Sequence, residues 1–219
     1  MVTISHIVEN IIKRRPLLQE AILNNIVSYA ALAEQLSPEI EKELNKKINH
    51  SAVVMAVRRN SEKIINSFKK KKFDYNAEII MKSNLFDVSV AKSSNLLKNL
   101  KDIYNIVNYE KGDTLNIIHG NYEISIIISS RYKDKLMNIL KNEKIINKEE
   151  NLCSLTLNFS EDYFDTPGVI SEITRRLAWE NINLIEIVST YTELTFIISK
   201  KEVNLAYNSL QNLIDEKGL

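Results

Sequence analysis

Asp165-Thr166-Pro167-Gly168-Val169-Ile170 stands between a strand-like run, Leu152–Phe159, and an amphipathic stretch that continues to Glu180. Thr166 is a good helix N-cap, and Pro167 suits a first helical position, where a missing N–H costs nothing. Gly168 has no side chain, so a ligand or another backbone can approach the first turn closely. Free N–H groups and the positive end of the helix dipole favour a carboxylate there. The plainer alternative is that Thr-Pro-Gly only starts a helix. That helix, over 166–180, is expected to bury Val169, Ile170, Ile173, Leu177 and Ala178 and to expose Glu172, Arg175, Arg176 and Glu180.

Outward from this turn, the pattern is strand, helix, strand, strand, helix. The hairpin is Ile182–Ser189 with Glu193–Ser199, and Val203–Ile214 closes the copy. The same pattern occurs about 67 residues upstream. There the segments are Leu85–Ala91, a helix over Ser94–Ile106, Thr114–His119, a Gly120-Asn121 turn, Glu123–Ser129 and a helix over Tyr132–Lys141. Each copy suits a four-stranded antiparallel sheet with two helices on one face, the ferredoxin-like plan of an α+β protein. The second copy ends without a fourth strand. An extra strand-like segment, Ala77–Lys82, precedes the first copy and is expected to complete the second copy's sheet, interlocking the two.

Before Lys69-Lys70-Lys71-Lys72 the apolar period is helical. Helices are expected over Ile4–Arg14, Pro16–Asn24 and from Ser28 to Leu36, with a short one over 37–44. The last follows Asn49, with Val53, Val54, Val57, Ile64, Ile65 and Phe68 on one face. Residues 1–72 hold 13 Lys and Arg against 7 Asp and Glu, while 73–219 hold 16 against 21. A basic helical module, 1–72, therefore precedes an acidic remainder that holds two α+β copies, 73–148 and 149–219, and different partners are expected for the module and the remainder. The module reads as helix-turn-helix-like, with Val27–Leu36 as first helix and Asn49–Asn60 as recognition helix. Ser51, Arg58 and Arg59 would meet DNA, with Lys46, Lys47 and Lys63 on phosphates. The alternative is a helical protein-docking module with a solvated basic face.

The 44% apolar content supports packed domains, and no apolar run has membrane-spanning length. The N-terminus has no signal-peptide pattern, so a soluble, cytoplasmic chain is expected. Cys153 is the single cysteine and reads as a buried thiol. His6, His50 and His119 have no metal-ligand spacing. The glycines Gly112, Gly120, Gly168 and Gly218 are scattered and form no phosphate loop. Glu149-Glu150 and Glu161-Asp162 read as solvated loops. The expectation is therefore a protein with no catalytic residue, metal or cofactor.

The strand, the Asp165–Ile170 turn, the amphipathic helix and Glu180-Asn181-Ile182-Asn183-Leu184-Ile185-Glu186-Ile187-Val188-Ser189-Thr190 together resemble an ACT domain. More narrowly, they are similar to the regulatory ACT pair of aspartate kinases, well over 151–214 and moderately over 84–145. Residues 1–68, above all Asn25–Ala33, resemble the N-terminal part of an archaeal family described as ACT-containing predicted regulators of amino-acid metabolism. The resemblance implies ferredoxin-like modules that bind an amino acid at domain interfaces. It maps the ligand loop onto Asp165, Thr166, Pro167, Gly168, Val169 and Ile170, with Asn181 and Asn183 facing it from the next strand. The first copy departs from the pattern, since its helix begins at Ser93-Ser94-Asn95 without Pro-Gly, and no ligand is expected there. The resulting expectation is a homodimeric, amino-acid-responsive transcriptional regulator. The alternative is a non-catalytic subunit that docks on a biosynthetic enzyme.

Overall fold

The structure, a computed structural model, describes residues 3–67, 77–159, 163 and 165–217. Phe68, the lysine run 69–72 and the pair Glu161-Asp162 lie outside the described residues. The chain divides into a unit over 1–71 and a unit over 72–219.

The first unit is helical: α1 (Ile4–Lys13), α2 (Pro16–Leu23), α3 (Tyr29–Leu44) and α4 (His50–Ser67). Thr3 caps α1, Pro16 starts α2, and Ser28 caps α3. The Asn49 side chain accepts the Ser51 N–H at 2.9 Å and so caps α4. Where two helices are expected over 28–44, α3 is one continuous helix. Pro38 lies inside it, and the Ser37 hydroxyl donates to the Ala33 carbonyl at 2.7 Å. That oxygen sits one turn back, near the place where the proline leaves the helical ladder incomplete. Ile7, Val8, Ile11, Ile12, Leu36, Ile40, Val53 and Val57 form the unit's core.

The second unit contains β1 (Glu78–Ala91), α5 (Ser94–Asn105), β2 (Leu115–His119), β3 (Glu123–Ser129) and α6 (Lys133–Ile139). It continues with β4 (Ile145–Asn158), α7 (Val169–Trp179), β5 (Leu184–Ser189), β6 (Glu193–Ser199) and α8 (Val203–Lys217). The strands form one antiparallel sheet in the order β2-β3-β1-β4-β6-β5. Ala77–Lys82 and Leu85–Ala91, expected as separate strands, belong to the single strand β1. Its first part, Glu78–Lys82, pairs with Ser154–Asn158, and its second part pairs with β3. The extra upstream segment thus does complete the second copy's sheet. β4 mirrors this arrangement, because Ile145–Glu149 pairs with β1 over Asp87–Val90 and Leu152–Asn158 pairs with β6. Glu149 and Glu150, expected in a loop, therefore lie in a strand. Each long strand bends at an asparagine in the left-handed region, Asn84 at φ 59° and Asn151 at φ 57°. Asparagine tolerates that conformation better than other residues with a Cβ.

The two halves bury separate helix-covered cores. Phe86, Val88, Val90, Ile124, Ile126 and Ile128 pack with Leu96 and Ile103 of α5 and Leu136 of α6. Leu155, Leu157, Phe196 and Ile198 pack with Ile173 and Leu177 of α7 and Leu210 of α8. A further cluster forms on the other face of the sheet. Leu85, Ile127, Leu152 and Ile197 are fully buried there, with Ile118 of β2 and Ile185 and Val188 of β5 packed against them. β2 and β5 are the outer strands, five strand spacings apart, which is about 24 Å in a flat sheet. Their meeting in one apolar cluster requires the sheet to curl so that its two helix-free faces pack on each other.

Candidate functional site: the Gly168 turn and the exposed face of α4

The turn after β4 is built differently from its sequence reading. α7 begins at Val169, and Gly168 is its N-cap, with φ 97° and no side chain of its own to cap the first turn. Thr166 and Pro167, expected as N-cap and first helical residue, both precede the helix. Thr166 is buried, and its N–H donates to the Tyr163 carbonyl at 3.3 Å. The reason for the shift lies at Gly168. A backbone with φ near 97° cannot propagate a right-handed helix, so the helix starts one residue later. Space around Gly168 is open, since a Cβ there would meet nothing within 4 Å. Glycine is needed at this position for its conformation more than for clearance. Asp165 and Pro167 are exposed and Val169 is buried. Ile170 and Ala178, expected inside, are exposed, because the helix buries only the narrower stripe Val169, Ile173 and Leu177.

Asn181 and Asn183 do not face this turn within the chain. They follow the C-terminus of α7, and Asn181, at φ 56°, ends the helix in the left-handed conformation. The Asn181 N–H donates to the Ala178 carbonyl and the Ile182 N–H to the Leu177 carbonyl, a left-handed helix stop. A helix rise of 1.5 Å per residue puts about 20 Å between Gly168 and Asn181. The residues that reach the turn instead are Tyr163 and Ser189. Tyr163 is buried, stacks on Phe159 with ring centroids 4.6 Å apart, and its hydroxyl lies 3.2 Å from the Ser189 hydroxyl at the end of β5. β5 runs back toward the turn, so its last residue, not its first, lies beside it. The strand direction implied by an antiparallel hairpin was the available signal for this.

The equivalent helix start in the other half is filled. Ser93 caps α5, accepting the Leu96 N–H at 2.9 Å. The Glu143 carboxylate accepts from the Ser93 hydroxyl at 2.7 Å and from the Asn95 amide at 2.5 Å. One helix start thus holds a carboxylate of its own chain, while the other has a glycine as its N-cap.

In the first unit, Ser51, Ala52, Met55, Arg58, Arg59, Glu62, Lys63 and Asn66 form the exposed face of α4. Lys46 and Lys47 lie exposed in the connection from α3. The charges are partly spent locally, since Arg58 Nε pairs with the Glu62 carboxylate at 3.0 Å. The Ser51 hydroxyl donates to Asn49 Oδ1 at 2.8 Å. Cys153 is buried, and burial pushes its thiol up from the usual cysteine value, as expected for an inert core residue. Among the described residues there is no group of His, Cys, Asp or Glu suited to a metal ion, and no helix is long and apolar enough to cross a membrane.

No protein-family model matches the sequence, and no curated protein matches it. Solved structures do. An aspartokinase, solved as its α and β subunits, is 18% identical; the match covers 63% of this chain and 97% of that chain, with a TM-score of 0.51. The ligand-free regulatory subunit of aspartate kinase from Thermus thermophilus is 9% identical, over 64% of this chain and 98% of that chain, with a TM-score of 0.50. Aspartate kinase from Synechocystis is 13% identical, over 65% of this chain but 27% of that chain, with a TM-score of 0.53. At these identities the likeness establishes the fold, an α+β arrangement shared with aspartate kinase regulatory chains.

Proposed function

We propose that this chain is a non-catalytic, amino-acid-responsive regulator built on an ACT-like pair, and that its effector binds at the Asp165–Ile170 turn. One observation carries the reading. The same helix start occurs twice, and in the first half a carboxylate, Glu143, sits on it, while in the second half the N-cap is Gly168, which has no side chain of its own and leaves open space around its Cα. An effector's carboxylate would take the place at α7 that Glu143 takes at α5, favoured by the first-turn N–H groups and the helix dipole. The fold shared with aspartate kinase regulatory subunits supports a sensing role. Asn181 and Asn183 would join such a site only from a second copy, because their own chain holds them at the far end of α7. A homodimer follows from that requirement.

A thermal-shift screen of the full chain against the twenty amino acids tests the reading. At about 100 times the dissociation constant, the effector should add about 2.7 kcal/mol of stability. Silence toward all twenty would leave the pair a dimerisation scaffold.

The output surface would be α4, presented to DNA in a cytoplasmic transcriptional regulator, with Ser51, Arg58 and Arg59 toward bases and Lys46, Lys47 and Lys63 toward phosphates. The alternative is docking on an amino-acid biosynthetic enzyme. It is favoured by Met55, 47% exposed in the middle of this face, and by the Arg58–Glu62 pair, which neutralises a key cation. Replacing Arg58 and Arg59 with Ala separates the two. DNA binding predicts weaker affinity and a shallower salt dependence, whereas docking predicts no change in DNA affinity.

A further inference from the structure

A groove of about 370 Å³ opens where β1 bends, at the opposite end of its half from the helix start of α5. Three segments line it: Lys82–Leu85, Gly112–Thr114 and Ser129–Arg131. Each is there for a local reason. The left-handed Asn84 interrupts the β1–β4 ladder between Lys82 and Leu85, which takes Ser83 and Asn84 out of register. Gly112, at φ 72°, ends a turn of 3-10 helix over Tyr109–Lys111 and redirects the chain into β2. Ser129 ends β3, and its hydroxyl accepts the Thr114 N–H at 3.0 Å, which ties two of the walls together.

The charge in the groove is unbalanced. Lys82 Nζ donates to a neutral acceptor, the Gly112 carbonyl, at 3.2 Å. Lys200 Nζ reaches another neutral acceptor, Asn84 Oδ1, at 3.4 Å. Arg131 pairs with Asp113, whose second oxygen accepts from the Tyr132 hydroxyl at 2.6 Å. The Arg131 hydrogen bond, first among the causes, holds the Asp113 carboxyl below the usual carboxylate range, so Asp113 stays ionised and anchors the guanidinium. Two cations, Lys82 and Arg131, thus line the groove with a single carboxylate that is already engaged, and Lys200 is joined to the groove through Asn84. The guanidinium has five N–H donors, more than one carboxylate can use. The nearby Glu150 is taken up by Lys133 at 2.6 Å.

The second half supplies an internal control. Its equivalent bend, at Asn151, follows Glu149-Glu150 where the first has Lys82-Ser83. Its helix-to-strand connection is four residues, 180–183, against nine, 106–114. In the shorter connection Ile182 turns into the core. The first half has the longer wall and a cation before its bend, and the second has acids before its bend and an apolar residue, Ile182, turned into the core.

We propose that this groove binds a small oxyanion, the carboxylate or phosphate group of a metabolite, held by Lys82 and Arg131 with the serine hydroxyls of the walls. Its occupancy would tie β1 and the Ser130–Arg131 segment of the first half to Lys200 of the second. The site is separate from the Gly168 turn.

The test titrates the full chain with inorganic phosphate and, separately, acetate at constant ionic strength. Thermal midpoint and amide chemical shifts are followed in wild type, Lys82→Gln, Ser83→Tyr and the charge-matched control Lys98→Gln, which alters an exposed lysine of α5. The expected result is saturable binding with shifts at 82–85, 112–114 and 129–131. It should weaken at least tenfold in Lys82→Gln or in the plugged Ser83→Tyr and be retained in Lys98→Gln. The probe that saturates at lower concentration names the class. No saturable response in wild type, or a response undiminished in both groove variants, overturns the proposal. Anion capture at the Gly168 turn would be read that way, because it survives both substitutions.

Discussion

The two halves of the sheet-bearing unit have the same plan and opposite details. Asp87 and Ser154 occupy equivalent places, three residues past the bends at Asn84 and Asn151, opposite Ile127 and Ile197. Ser154 is a buried neutral residue, whereas Asp87, 2% exposed, is a buried acid. At one end of each half, a helix start is sealed by Glu143 in the first and has a glycine as its N-cap in the second. At the other end, a groove opens in the first half, whereas in the second the shorter connection turns Ile182 into the core. Two halves that share their strands need not both carry a site, since each supplies structure to its neighbour.

That sharing makes separation the most damaging experiment. A fragment covering 150–219 lacks Glu78–Lys82, the fourth strand of its sheet, and Ile79, which packs on its core. It also lacks Leu85 and Ile127, which cover Leu152 and Ile197. A small sheet deprived of an edge strand and one face of packing has too little buried area to offset its conformational entropy. The fragment should give no cooperative urea transition, while the intact chain melts with both halves together. A sharp two-state transition from the fragment would show that the second half is self-sufficient.

The Asp87–Ser154 difference predicts a smaller, pH-dependent effect. Burial is the largest cause raising the Asp87 carboxyl above its ordinary value. The hydrogen bond from Ser125, 2.8 Å, opposes this, and the negative charges of Glu186 and Glu149 add to it. A folded-state value above the unfolded one means that the contribution is fully present below the unfolded value, about 3.9. It is lost as pH rises through the folded value. Asp87→Asn keeps an acceptor for Ser125 and removes the charge. The variant's thermal midpoint should gain on wild type from about pH 4 until the folded carboxyl has ionised, and then level off. Curves that stay parallel across the range would show that Asp87 is compensated in the folded chain.

Much of this plan was legible before any coordinates. Alternating apolar residues gave β2, β3 and β6, and the missing strand of the second copy pointed to Glu78–Lys82 as its partner. What was not legible has a common cause. Ile145–Glu149 is rich in charge because it is an edge segment with one side unpaired, so a β-strand was hidden in loop-like composition. Thr166 and Pro167 have the chemistry of a helix start, but one left-handed glycine moved that start to Val169. Asn181 was matched to the turn by adjacency in a motif, yet a helix of α7's length carries it to the opposite end. The groove depends on a bend, a long connection and cations from three segments, none of which forms a local motif.

The bends themselves offer the finest comparison. Asn84 and Asn151 have nearly the same left-handed φ, 59° and 57°. Alanine at either place keeps the Cβ but lacks the short polar side chain that lets asparagine adopt this region, and each substitution should cost about 1 kcal/mol in urea denaturation. Glycine should be nearly neutral. Stability alone therefore should not distinguish the two sites. Ligand binding should, because the Asn84 side chain holds Lys200 at the groove, whereas Asn151 engages Lys200 through its backbone carbonyl, which alanine retains. Asn84→Ala should weaken phosphate binding several-fold and Asn151→Ala should not. Equal losses of affinity would mean that the bend's geometry, and not the side chain that holds Lys200, shapes the groove.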